Sequence, residues 1–339
     1  TLVYTYDTIT WYTITLPYFN NNSYLSIVYS NDLEQFIIYT NSSINSFAPF
    51  ITYDLNSIVQ DSSLSINLNN ISNLIKPNNT MVNNAINNWN SINYIYSNNL
   101  TCICYSSYLK LFVAVANSGT GNRVITSTNG TTWTIRTSAA DNNWTSICWS
   151  FKLKLFVAVS NSGTNNRIIT SPDGTTWTAR TSPADNNWTS VCWSNELNLF
   201  VAVANSGTTN RIMYSSNGIT WTSTNNSYLN DWTSVVWVPR VKLFIAISNT
   251  GVQQRIMTSS NGTTWTVSNS PHSGNWVSIC DCPQLNMTIA VANSGTDRIM
   301  YTYNGIEWFV GTSNPQFPIN NIIWANSLNK FLITCDNTY

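Results

Sequence analysis

The sequence predicts an all-β protein, a seven-bladed β-propeller of four-stranded antiparallel blades, with the ring closed by N- and C-terminal strands that share one blade. Three observations predict it. Arg123, Arg167, Arg211, Arg255 and Arg298 recur about every 44 residues, as do Trp133, Trp177, Trp221, Trp265 and Trp308. Each period carries four short strand patterns and no helical one. The fragments at the two ends of the chain complete each other. A repeated four-stranded unit of about 40–50 residues is what a propeller blade requires.

In the unit 143–185, Trp144, Ser146 and Cys148 alternate with Thr145, Ile147 and Trp149, the period-two signature of a strand. Residues 153–159 form a denser apolar run, suited to a second strand buried on both faces. Runs at 167–170 and 175–181 flank Asp173-Gly174. Such a pair tolerates positive φ at both positions and is the strongest signal for a short hairpin, here between third and fourth strands. The β-branched and aromatic content excludes a helical solenoid.

First strands begin at Leu100, Trp144, Trp188, Trp232 and Trp276, which sets regular blades at 100–143, 144–187, 188–231, 232–275 and 276–318. A further first strand starts near Ile319, and its second strand runs to Thr334 before the chain stops. The missing half lies at the other end, where 3–11 matches 300–308. One blade is therefore expected to combine 319–339 with 1–23, leaving no open sheet edge. The remaining blade, 24–99, is about 32 residues too long, and the excess is expected at about 43–78, between second and third strands. The whole chain, 1–339, reads as one domain.

Composition limits the function classes. Hydrophobic residues make up 43% and aromatics 13%, with 15 Trp, against 8% charged, so a packed core is expected rather than disorder. Fourteen basic and fourteen acidic residues cancel and form no runs, which excludes the basic stripe of a nucleic-acid binder. No apolar stretch reaches the roughly 20 residues of a membrane span. The start does not read as a secretory signal, and the absence of a Met before Thr1 leaves room for an upstream segment. Seven Cys, an odd number with no evident pairing, predict assembly in a reducing compartment. Asn-x-Ser/Thr sequons arise by chance in a chain this rich in Asn, Ser and Thr, and carry no glycosylation claim.

Ser171-Pro172-Asp173-Gly174-Thr175-Thr176-Trp177 resembles the Asp-box, or BNR, motif of sialidase-like propellers. Versions recur at 127–133, 215–221, 259–265, 302–308 and 5–11. The box is one residue shorter between the acid and the aromatic, and Asn129, Asn217, Asn261 and Asn304 stand where Asp173 and Asp7 keep the acid. The fuller Asn-rich phrase looks more like repeat propellers in proteins of giant DNA viruses and large phages. That resemblance implies a virion-associated protein of the capsid, fibre or surface, assembled in the host cytoplasm, with exposure outside the cell left open. Its partners would be other proteins of the particle.

The box residues Asn129, Asp173, Asn217, Asn261, Asn304 and Asp7 read as structural turn formers. The repeated Arg123, Arg167, Arg211, Arg255 and Arg298 fall where second-to-third and fourth-to-first connections share one face, beside Asp141, Asp185 and Asp231. They serve either as one clamp per blade or as a cationic ring for an anionic ligand such as a carboxylated sugar. Asn143-Trp144 and Asn187-Trp188 suit either sugar contact or strand packing. The insertion is apolar, with Leu64, Ile66 and Leu68 alternating before Ile71 and Leu74 shift toward helical spacing, and is the expected partner contact.

Resemblance to sialidases would imply three Arg on a carboxylate, a Tyr nucleophile activated by Glu, and an Asp acid/base. Only Glu34, Glu196 and Glu307 exist, all expected on the face opposite the arginines. One histidine, His272, and no clustered carboxylates build neither a metal site nor a His-based triad. No cofactor, metal or catalytic residue is expected. The sequence thus predicts a non-enzymatic structural or attachment propeller working through protein–protein contacts, with a glycan-binding lectin-like propeller as the alternative and a sialidase-like glycosidase as the second alternative.

Overall fold

The computed structural model describes residues 2–5, 11–14, 24–30, 32, 35–40, 44–47, 90–92, 98–225, 228–311, 318–325 and 330–335. Every element among them is a strand. β1 (Leu2–Thr5) and β2 (Trp11–Ile14) come first, followed by β3 (Tyr24–Ser30), β4 (Gln35–Thr40), β5 (Ile44–Phe47) and β6 (Asn90–Ile92). Five regular sets follow. They are β7 (Leu100–Ser106), β8 (Leu111–Ala116), β9 (Val124–Ser127) and β10 (Thr134–Arg136); β11 (Trp144–Ser150), β12 (Leu155–Ser160), β13 (Ile168–Ser171) and β14 (Thr178–Arg180); β15 (Trp188–Ser194), β16 (Leu199–Ala204), β17 (Ile212–Ser215) and β18 (Thr222–Ser223); β19 (Trp232–Val238), β20 (Leu243–Ser248), β21 (Ile256–Ser259) and β22 (Thr266–Ser268); β23 (Trp276–Cys282), β24 (Met287–Ala292), β25 (Ile299–Thr302) and β26 (Phe309–Val310). β27 (Ile319–Ala325) and β28 (Lys330–Cys335) close the chain.

Each set of four is an antiparallel sheet in sequence order, and one sheet has the order β2-β1-β28-β27. There β1 pairs with β28, Val3 opposite Ile333 and Tyr4 opposite Leu332. First strands pack side by side from sheet to sheet: β3 beside β7, then β11, β15, β19, β23 and β27, with β27 again beside β3.

Why the sheets stack follows from the first two strands. Second strands such as Leu-Phe-Val-Ala-Val-Ala of β8 are buried along their whole length, because both faces meet a neighbouring sheet. Where a first strand opens on tryptophan, that side chain enters the sheet before it. Trp144 packs with Leu111, Val113 and Val115, and Trp188 with Val157, Val159 and Ile168. Trp144, Trp188, Trp232 and Trp276 are wholly buried.

A β-bulge repeats at the start of every first strand, as between Trp144 and Ser146 or Trp188 and Ser190. The extra residue is left out of the ladder. Its side chain then serves the next sheet: the Thr145 hydroxyl donates to the Trp188 carbonyl at 2.7 Å, and Thr189 and Thr233 do the same to Trp232 and Trp276 at 2.7 Å. One residue on, Ser146 and Ser190 accept the Val191 and Val235 amides at 3.2 Å. Where Val277 interrupts the threonine series, Ser278 donates to Asn321 instead, at 2.8 Å.

Two expectations are corrected. The fourth strand, expected from 175, begins later: β13 ends at Ser171 and β14 begins at Thr178, and only Gly174 of the Asp-Gly pair has positive φ. The extra length of the blade beginning at β3 is also placed differently. β5 already pairs with β4 and with β6, so residues 44–47 are ladder, and the long connection joins third to fourth strand. The candidate contacts Leu64, Ile66, Leu68, Ile71 and Leu74 lie outside the described residues, as does Asp7.

Gly174 and Gly121 offer a controlled test of sheet-to-sheet closeness. Both hold φ near +70° (74° and 68°), so alanine strains both alike, by about 1–2 kcal/mol. A Cβ on Gly174 would also meet Leu111 Cδ2 of the preceding sheet at 2.7 Å, whereas on Gly121 it meets nothing. In urea unfolding Gly174→Ala should cost about 1–3 kcal/mol more than Gly121→Ala; equal losses would mean that the sheets are not in tight contact there.

Candidate functional site

The end of the sheets that carries second-to-third connections is dominated by the repeated arginines. Arg167 Nε donates to the Gly163 carbonyl at 2.9 Å, and Nη1 to the Asn161 and Asn186 carbonyls, each at 2.9 Å. Asp185 stands 3.6 Å from Nε and accepts the Asn165 amide at 2.8 Å. Arg123 repeats the arrangement with Asp141, at 3.9 Å, whereas Arg211 pairs through Nη1 with Asp231, which stands at the position of Asn187, at 2.9 Å. Arg255 donates to the equivalent carbonyls of Gly251, Asn249 and Gly274, and burial draws its pKa below the ordinary arginine value. Arg298 holds the equivalent place before β25, where its carbonyl accepts the Ala292 amide at 2.9 Å.

These bonds make a clamp between the connection leaving a second strand and the one entering the next first strand. The side chains of Arg123, Arg167 and Arg211 are only 14, 12 and 14% exposed. An anionic ligand would have to displace carbonyl bonds already formed, which is the physical obstacle to a cationic ring. Asn142 and Asn186 brace the same loops by donating to the Asn166 and Asn210 carbonyls at 2.9 and 2.7 Å. Trp144 and Trp188, buried in sheet interfaces, have no face to offer a sugar.

At the opposite end the box is a set of local bonds, complete through the indole at Trp133, Trp177, Trp221 and Trp265. Ser171 Oγ donates to Asp173 Oδ1 at 2.9 Å and accepts the Gly174 amide at 2.8 Å. Asp173 Oδ1 also accepts the Thr175 and Thr176 amides at 2.8 Å, and Trp177 Nε1 donates to the Gly174 carbonyl at 3.0 Å. Asn129, Asn217, Asn261 and Asn304 accept the corresponding amide pairs at 2.8–3.0 Å. Burial works to raise the Asp173 carboxyl, but the Thr176 and Thr175 donors and the Ser171 hydroxyl outweigh it and hold the pKa well below the usual carboxylate range.

The same end carries a contact the sequence reading missed. A residue in the turn between first and second strands reaches into the next sheet. Asp32 accepts from the Tyr105 hydroxyl at 3.0 Å, Glu196 from Trp237 Nε1 at 2.6 Å and Gln284 from Trp324 Nε1 at 2.8 Å. Where the receiving position is Asp281 rather than an aromatic residue, the turn supplies Arg240, 3.3 Å away, which also donates to Thr288 Oγ1 at 2.7 Å and to the Tyr303 carbonyl. The signal was the exchange of partners between two positions 41 residues apart in the repeat.

A recess of about 540 Å³ opens at this end among equivalent positions of β3, β7 and β11, with Val28, Cys104 and Cys148 in its wall and Tyr105, Ser107 and Trp149 beside them. Its size falls within the range of small-ligand pockets. Its thiols are poor nucleophiles, since burial pushes Cys104 and Cys148 upward. Cys192 and Cys280 are likewise raised by burial, and Cys282 is pushed up to about 11. Cys102, Cys104, Cys148, Cys192, Cys280 and Cys282 are free thiols.

His272 Nδ1 lies 2.9 Å from Asp297 Oδ2 on the clamp end. Glu307 enters its box through its amide, and Glu34 lies outside the described residues. Among the described residues no group of three or more His, Cys, Asp or Glu is placed to hold a metal ion, and no helix is long and apolar enough to cross a membrane.

No family model and no curated protein matches the chain. Among solved structures it resembles a catalytically inactive variant of virginiamycin B lyase from Staphylococcus aureus with quinupristin, at 11% identity over 93% of this chain and 95% of that one, with a TM-score of 0.66. It also resembles the β-propeller domain of Cps50 (Swd1) from Myceliophteria thermophila, at 8% identity over 93% and 97%, with a TM-score of 0.56. Identities this low carry the fold alone, and the fold is an all-β propeller of four-stranded antiparallel sheets.

Two outcomes follow from the clamp and the box. Arg167→Ala should lower stability by about 2–4 kcal/mol, since it leaves three carbonyls and Asp185 without their donor, and Arg167→Lys should recover less than half because an ammonium cannot span the fork; urea midpoints decide. Asp173→Asn should be within about 0.5 kcal/mol of the parent near neutral pH, because four other boxes use Asn. With a depressed folded pKa, the native state binds fewer protons than the unfolded one, so the Asp173 contribution is present above about pH 4 and is lost as pH falls below it. The variant should therefore show a shallower acid loss of stability between pH 5 and pH 2, and identical slopes would contradict this role.

Proposed function

We propose that the chain is a closed, seven-bladed, non-enzymatic propeller that serves as a structural or attachment component of a larger assembly and acts through protein–protein contacts. The seven-blade count draws support from β1 completing the sheet of β27 and β28, and from the unbroken succession of first strands back to β3. One observation carries the functional reading: the polar groups that would make a binding or catalytic site are engaged in holding loops and sheets, while large apolar side chains stand exposed on the turns of one end. Tyr108, Phe151, Leu153, Leu197 and Leu285 are all exposed and all lie in turns between first and second strands.

The assembly proposed is a virus particle, on the likeness of the Asn-rich repeat phrase to propeller repeats of giant DNA viruses and large phages. A glycan-binding role has less support, because the loop tryptophans beside Asn143 and Asn187 are buried. A sialidase-like glycosidase has less still, with the Glu196 carboxylate bonded to Trp237 and the arginines bonded to carbonyls. The lyase activity named for one structural neighbour belongs to that protein. A glycan array and a sialidase assay should both be blank, and immunodetection should place the protein in purified particles. Specific glycan capture, or recovery only as an unassembled soluble protein, would overturn the proposal.

A further inference from the structure

We infer that the adjacent turns after β7 and β11 form a docking site for an acidic protein segment that carries an apolar or aromatic side chain. The inference rests on the protein-contact reading above and gives it one place and one partner chemistry.

Repeat geometry does not account for these two turns. The position that reaches the next sheet through Asp32, Glu196, Arg240 or Gln284 is Tyr108 in the β7–β8 turn, and the Trp149 Nε1 it would serve makes no hydrogen bond. Tyr108 instead stands 48% exposed, with its ring edge-on to Phe151 at 6.1 Å. Phe151 is 57% exposed and occupies a place where the other turns have Asn31, Ser107, Asn195, Pro239 and Pro283. Those residues favour turns through backbone restriction or side-chain bonding. An exposed phenylalanine adds nothing to a turn, whereas aromatic residues are enriched at the centres of protein interfaces.

Charge selects the partner. Lys154 Nζ donates to the Tyr108 hydroxyl at 2.9 Å and lies 4.4 Å from the ring centroid, which holds the aromatic pair in place. Lys110 is paired with Asp32 at 2.9 Å, but among the described residues neither Lys152 nor Lys154 has a carboxylate within ion-pair distance. The carboxylates at this end are committed elsewhere: Asp32, in the wall of the recess, to Lys110 and Tyr105, Asp173 to its box, Glu196 to Trp237 and Asp281 to Arg240. The patch is thus cationic and aromatic, and Ser107 and Trp149 connect it to the recess of about 540 Å³, which can take an apolar side chain. Nucleic acid and anionic membrane fit less well. Several phosphates or about four to eight clustered basic residues are the usual requirement, and here the arginines are held in clamps.

The test is fluorescence polarisation of the whole chain with a panel of synthetic peptides of about twelve residues. Each pairs several Glu or Asp with one Trp, Phe or Leu, and each is matched by a version with Gln or Asn in place of the acids. A single-stranded oligothymidine and phosphatidylserine vesicles serve as competing anions. Acidic peptides should bind roughly tenfold or more tightly than their amide versions. Phe151→Ser and the double variant Lys152→Glu/Lys154→Glu should each remove most of that binding, while Lys242→Glu, in a separate turn, should not. Equal binding of acid and amide peptides through Phe151 would overturn the acidic partner yet leave the protein-contact reading standing. Binding that ignores both variants, no peptide binding at all, or stronger capture of oligothymidine or vesicles would overturn the site; glycan capture on the array would instead sink the broader reading.

Discussion

The second strand of each sheet is buried against the residue that opens the next sheet's first strand, a tryptophan at Trp144, Trp188, Trp232 and Trp276 and an aliphatic side chain at Leu100 and Ile319. Trp144 fills the space above Leu111, Val113 and Val115, and the same exchange recurs at Trp188, Trp232 and Trp276. Burying a side chain of this size is worth several kcal/mol relative to a truncated one. The polar contacts are ordered by the same interface: the bulge that frees Thr145 also sets its hydroxyl against the Trp188 carbonyl. Stability therefore resides between sheets as much as within them, as expected of stacked repeats.

That arrangement explains the division between the two ends of the sheets. At the clamp end the connections are long and need support, and Arg167 with Asn142 or its equivalents supplies it from inside the loop. At the turn end the connections between first and second strands are short and closed by a serine at the strand end, as Ser150 Oγ accepts the Leu153 amide, so the side chains within the turn can vary. Some are used to latch the next sheet, as Glu196 and Gln284 are. Tyr108 and Lys152 hold the latch position of two consecutive turns without that use, and Phe151 between them is the exposed aromatic on which the proposed outside contact rests.

Strand positions were legible in the sequence because the period of about 44 residues aligns Arg123, Arg167, Arg211, Arg255 and Arg298, and the box tryptophans with them, across the regular units. The first strands begin at Trp144, Trp188, Trp232 and Trp276, as the alternation implied. The hairpin geometry was not legible. Asp173 acts through Oδ1 rather than through an unusual backbone angle, and both uses favour the same residue types. β5 was hidden because Ile44–Phe47 lacks the Arg and the box that mark other third strands, which displaced the long connection by one strand. The turn latch joins residues 41 apart, such as Glu196 and Trp237, and their proximity becomes evident only once the order of the sheets is known.

If the sheets depend on one another around a closed circuit, removing strands from one should be felt far from the cut. Hydrogen–deuterium exchange mapped by mass spectrometry on the intact chain and on a form lacking residues 1–23 tests this directly. Loss of β1 and β2 should raise exchange not only in β27 and β28 but also in β15 and β16, several sheets away. Loss of protection confined to β27 and β28, with β15 and β16 unchanged, would contradict the account.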